Sequence, residues 1–150
     1  MKELDLKEIL LHPVQLSDVI ITKLNLNNQK GDPNSTYQVD TKVGWKGELI
    51  DNYTGYAFVE LMISSTQEDN EVFDICIEFR GTCKLDEDSD IPPEAFEHFL
   101  ETRCLHLLWP FVRETIPSLS IRMGVKPIDI PTIDVFETLK KVEGNDDGSN

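Results

Sequence analysis

The chain has 150 residues and carries 28 acidic against 14 basic side chains, a net charge of −14. That length allows one domain whose core buries roughly two thirds of the extended chain's surface. The excess of carboxylates repels phosphate backbones and anionic lipid, so neither nucleic acid nor membrane is an expected partner, whereas basic partners, positively charged unfolded segments among them, are attracted.

No apolar run approaches the roughly eighteen residues of a membrane span, and the first residues mix acids with bases instead of flanking an apolar core with basic ones. The expectation is a cytoplasmic protein, neither exported nor membrane-spanning. Cys76, Cys83 and Cys104 are odd in number and form no CxxC pair, which fits reduced thiols packed inside such a protein. Asn52-Tyr53-Thr54 matches a glycosylation acceptor but, with no secretory signal, reads as a turn.

Residues 1–13 hold Leu4, Leu6, Ile9, Leu10 and Leu11, enough for a short helical turn that Pro13 ends. The aliphatic residues of 14–26 predict a first strand, and 27–34, with Gly31 and Pro33, a loop. Over 37–46, Tyr37, Val39, Thr41, Val43 and Trp45 alternate with polar residues and glycine, a period of two that predicts a half-buried second strand. A turn at Asp51 to Gly55 leads into 56–63, apolar on both faces as a central strand is. After Gln67-Glu68-Asp69-Asn70, the stretch 72–85 sets Phe73, Ile75, Ile77 and Phe79 against Asp74, Cys76, Glu78 and Arg80.

Pro92-Pro93 opens a helical pattern in Phe96, Phe99, Leu100, Arg103, Leu107 and Phe111. Pro110 and Pro117 are expected to turn or interrupt it, because each lacks a donor and crowds the preceding turn. Gly124 is a plausible stop, 125–131 is extended, 133–142 is a last amphipathic piece, and 143–150 is a disordered polar tail. Strands first and helices afterwards give an α+β fold: a four-stranded antiparallel sheet with helices packed on one face, in a single domain over 1–142.

His12, His98 and His106 are scattered, and no HExxH, paired cysteine, Ser/His/Asp spacing or glycine-rich phosphate loop occurs, so no enzyme, metal site or cofactor is expected. Glu94, Glu97, His98 and Glu101 cluster on the predicted helix, where carboxylates ordinarily serve capping and solubility.

The run Leu108-Trp109-Pro110-Phe111-Val112-Arg113-Glu114-Thr115-Ile116, followed by Arg122 and by Ile128-Asp129-Ile130, resembles the SecB family of protein-export chaperones. That family has a Leu-aromatic-Pro-aromatic-small-Arg-Glu run, then Arg-Gly, then an extended segment with proline. Here Met123 separates Arg122 from Gly124, Val112 stands where alanine is usual, and Thr115 replaces a frequent cysteine.

The resemblance implies an ATP-independent holdase that binds unfolded polypeptides, assembled as a homotetramer, a dimer of dimers whose helices meet. It also implies a client groove bordered by the extended segment and terminal helix; with the apolar strand face this nominates Val39, Val43, Trp45, Ile128, Ile130, Ile133, Phe136 and Leu139. Trp109, Phe111 and Ile116 are nominated for the subunit interface, because their helix has more apolar residues than one sheet-facing stripe uses. Adjacent Arg113 and Glu114 point to different sides of a helix and need separate partners, across that interface or on a client.

In this family acids on the sheet also dock the SecA export motor. Glu78 falls where one such acid lies, but Leu24 and Asn28 stand where the first strand carries others. This predicts weak motor binding and raises a competing reading, a SecB-like chaperone stabilising an antitoxin in a toxin–antitoxin system; the alternative of a different class is a non-chaperone interaction subunit sharing the fold.

Overall fold

The computed structural model describes residues 10–146 and positions 1, 3 and 5. The helical turn expected within residues 1–13 and the end of the tail, 147–150, therefore lie largely outside the described residues. Four strands, β1 (Val14–Asn28), β2 (Gln38–Leu49), β3 (Thr54–Gln67) and β4 (Asn70–Leu85), precede two helices, α1 (Pro93–Arg122) and α2 (Val135–Asp146). The strands form one antiparallel sheet in the order β1-β4-β3-β2. Thus β1 pairs with β4, and its connection to β2 crosses the sheet from one edge to the other.

Period-two patterning decides the faces. Val43, Leu61 and Ile77 are in register, as are Trp45, Val59 and Phe79, and these rows face α1. Their β3 and β4 members are fully buried. The reverse face carries rows such as Lys46, Phe58 and Arg80, and no described element packs on it. There Lys46 Nζ lies 4.7 Å from the centre of the Phe58 ring and the Arg80 guanidinium 4.4 Å from that of Tyr56. The β3–β4 turn places Glu68 at φ 50° and Asp69 at φ 62°, the left-handed pair of a tight hairpin turn.

Contrary to the expectation at Pro110 and Pro117, α1 runs unbroken through both. Seven residues apart, they lie on nearly the same side of the helix. The carbonyls they leave unbonded belong to His106 and Arg113, both exposed residues on the side of the helix open to solvent, where a lost helical bond costs little. Pro92 and Pro93 open α1 with Glu94 in its first turn, and Gly124 ends it at φ 76°. The helix crosses β2, β3 and β4 and scarcely touches β1.

Past Gly124 the chain turns back along α1. The Val125 N–H donates to the Ser120 carbonyl at 3.1 Å, and the Ile128 N–H to Ser120 Oγ at 3.3 Å. Farther on, Trp109 Nε1 donates to the Pro131 carbonyl at 3.0 Å and Arg113 Nε to that of Ile130 at 3.1 Å. Asp134 then caps α2 by accepting the Glu137 N–H at 3.0 Å. This helix starts two residues later than the pattern suggests and extends to Asp146, into what was expected to be tail.

Candidate functional site

Where the returning segment meets the edge strand β2, it leaves a cavity of about 410 Å³. Tyr37, Val39, Phe73 and Ile128 form its apolar walls, with Lys126 and Asp129 at the mouth. Val39 is 41% exposed although its register partner Ser65 is buried on the core side of the sheet. Tyr37 meets the Phe73 ring edge-on at 5.6 Å, and its hydroxyl bonds to Asp32, which holds the 29–37 loop as the cavity's end wall. Asn28 fastens that loop to the end of α1, donating to the Met123 carbonyl at 2.6 Å and accepting the Gly31 N–H at 2.7 Å.

Among the described residues no backbone pairs with the outer edge of β2. An unpaired strand edge beside an apolar cavity can take an extended peptide, with main-chain bonds giving affinity and the cavity a side chain.

The nominated client residues separate into two sets. Val39 and Ile128 line the cavity together, and Phe136, 54% exposed, stands on α2. Val43, Trp45, Ile133 and Leu139 are half-buried against the core, and Ile130 lies in it. Tyr37 and Phe73 were missed as cavity walls because alternation assigns them only to a buried strand face.

The helix nominees divide as well. Trp109 and Ile116 are buried inside the protomer, leaving Phe111, Arg113 and Glu114 facing outward. The surplus of apolar residues on α1 is therefore taken up by the returning segment, so it is no measure of a subunit interface. Arg113 finds its partner within the chain, in the Ile130 carbonyl.

On the uncovered sheet face Glu78 accepts a 2.6 Å hydrogen bond from the Thr22 hydroxyl. It sits in register between Lys23 and Glu60, and Lys23 Nζ reaches past it to Glu60 at 2.7 Å. The hydrogen bond to Glu60, and then Cys76, hold the Lys23 ammonium above its ordinary pKa. Sequence reading overlooked this lysine. Leu24 is in register with Ile77 and so faces the other side, and Asn28 is committed to its loop.

Among the described residues no group of three His, Cys, Asp or Glu side chains converges on a possible metal position, and no helix is long and apolar enough to cross a membrane. Burial pushes the Cys83 thiol up to about 11 and the Cys104 thiol up to about 12. Both therefore stay protonated in the fold where an unfolded thiol would ionise. Between the ordinary value of 9.0 and those values the folded state binds more protons, so this pair lowers stability as pH rises through that window.

The chain matches the family model for SecB, preprotein translocase subunit SecB, over residues 9–143. No curated protein matches it. Among solved structures it is similar to the Mycobacterium tuberculosis SecB-like chaperone Rv1957 in complex with a ChAD peptide from the Rv1956 HigA1 antitoxin. That similarity has 15% identity and a TM-score of 0.69, covering 81% of this chain and 91% of that one. A Streptococcus agalactiae protein of unknown function aligns with a TM-score of 0.41 and 12% identity, over 79% of this chain and 97% of the other.

Proposed function

The chain belongs to the SecB family of chaperones, and from that premise we propose that it is an ATP-independent holdase for non-native polypeptide. The observation that carries the reading is the cavity of about 410 Å³ joined to the unpaired edge of β2. Apolar walls and free main-chain groups recognise what every unfolded chain offers and a folded surface hides. No catalytic step is assigned to it.

Purified protein is expected to suppress aggregation of an unfolded client at stoichiometric concentration without nucleotide. Val39→Asp, placing a charge in the apolar wall, should weaken client affinity by about tenfold or more. No suppression by folded wild-type protein sinks the proposal. A stable complex that buries this surface on one folded partner instead favours the interaction subunit.

Self-association into a cytoplasmic homotetramer, a dimer of dimers, is part of the same reading. Ile20, Ile21, Leu24 and Leu26 on edge strand β1 are 37–47% exposed, and a long apolar edge of this kind is ordinarily paired or covered. Light scattering should return four times the protomer mass at micromolar concentration. A monomer contradicts the assignment, and a dimer leaves one of its two interfaces.

General export requires the SecA motor to dock, and the free face suits a basic partner poorly. Lys23 lies beside Glu78 and already engages Glu60, so its charge opposes a basic partner there, and solvent screens whatever exposed pairs remain. Calorimetry against the motor's basic tail should therefore show weak binding. Submicromolar affinity that disappears on Glu78→Ala reverses this reading. Weak motor binding favours service to a dedicated client such as an antitoxin, the partner named for the Mycobacterium tuberculosis chaperone of similar fold.

A further inference from the structure

A second cavity, of about 370 Å³, lies where the start of β1 meets the first half of α1. Its lining is His12, Val14, Phe99, Arg103, His106 and Leu107, none of them shared with the cavity beside β2. Three of the six are basic and none is acidic, in a chain with twice as many acids as bases.

The basic groups are held in place and have donors to spare. Arg103 makes no hydrogen bond or ion pair with any described residue, and its guanidinium lies 4.8 Å from the centre of the Phe136 ring. His106 stands 6.4 Å from the same ring. His12 stacks on Phe99 at 4.8 Å with the planes 28° apart. Its Nδ1 is taken up by the backbone of Val14, 3.0 Å from the nitrogen and 3.3 Å from the carbonyl oxygen, which leaves Nε2 as the ring nitrogen without a partner among the described residues.

We propose that this cavity binds a carboxylate carried on an apolar or aromatic body. Arg103 offers the planar fork that matches a carboxylate with two parallel hydrogen bonds. His12 and His106 supply further donors, and Phe99, Leu107 and Val14 cover the body. The volume falls within the range of about 300–1,000 Å³ usual for small-ligand sites. Two sources carry this chemistry, a free aromatic acid and the C-terminus of a polypeptide ending in a large apolar residue. Only the second rests on the chaperone reading, and binding is measured separately from aggregation suppression, so either proposal can fail alone.

The test is calorimetry on the full chain in its native assembly. The probes are 3-phenylpropionate, a short peptide ending in phenylalanine with a free carboxylate, and the same peptide as its C-terminal amide. The free carboxylate should bind at least about tenfold tighter than the amide. Arg103→Gln should remove that preference, and Arg122→Gln, at the far end of α1, should keep it, with circular dichroism reporting the fold of each. Tighter binding of the peptide than of 3-phenylpropionate assigns the site to a chain terminus, and the reverse to a small acid; either supports the proposal. An amide that binds the wild-type protein as well as the acid does, or no saturable binding of any probe at millimolar concentration, overturns it whether or not Arg103→Gln folds.

Discussion

Trp109→Ala is expected to cost about 3–5 kcal/mol of stability, the range for removing a large buried aromatic side chain. Only 8% of Trp109 is exposed, and it both fills space beneath the returning segment and fixes that segment through the Pro131 carbonyl. Urea unfolding followed at Trp45, the other tryptophan, reads the change. Trp109→Phe separates the two contributions, since it retains most of the buried ring and deletes the donor. A single neutral hydrogen bond contributes about 0.5–1.5 kcal/mol, and the exposed Pro131 can turn to water, so this variant should lose about 1 kcal/mol plus a packing deficit. Because the segment also carries Ile128, a wall of the cavity beside β2, client affinity should fall with Trp109→Ala even where the protein remains folded. An alanine variant that unfolds at the wild-type urea concentration shows that the segment is held by something other than this ring.

Gly47→Ala comes second in size. A Cβ there would lie 2.5 Å from the backbone carbonyl carbon of Leu100 and 2.6 Å from the backbone nitrogen of Glu101. Backbone cannot swing aside as a side-chain end can, so α1 must lift from β2, a strain of about 1–3 kcal/mol. Gly47→Val adds bulk at the same place and should exceed it. Gly44, three residues earlier on the uncovered face, has nothing within 4 Å of its would-be Cβ. Gly44→Ala should be neutral, or stabilising by about 0.4–1 kcal/mol through the lower entropy of the unfolded chain. Thermal unfolding of both variants checks the pair. Equal melting temperatures would show that α1 is not seated on Gly47.

These two glycines illustrate how far the sequence could be read. Alternation places Gly44 in the second strand but ends at Lys46, short of Gly47, and that Gly47 meets a helix depends on where α1 crosses, which is set by contacts some fifty residues away in the chain. The prolines of α1 err in the other direction. Their local rule is sound, yet whether a lost hydrogen bond breaks a helix depends on whether its carbonyl can reach water, a property of the packed molecule.

The sequence by itself determined that strands precede helices, that β2, β3 and β4 form successive hairpins, and that a proline-opened helix stops at Gly124. Period, caps and turn residues are local, and each acts over a few neighbours. From the family motif it also carried the chaperone assignment, now supported over residues 9–143. Only the tertiary structure decided the faces of β1. Register shifts between Leu16 and Asp18 and between Ile21 and Lys23 break its alternation, so Lys23 joins Glu78 on the free face while Ile21 and Leu24 share the other side. A bulge moves every later side chain to the opposite face, and whether one forms is settled by the partner strand β4, through bonds such as Thr22 to Glu78, and not by the residues of β1 alone.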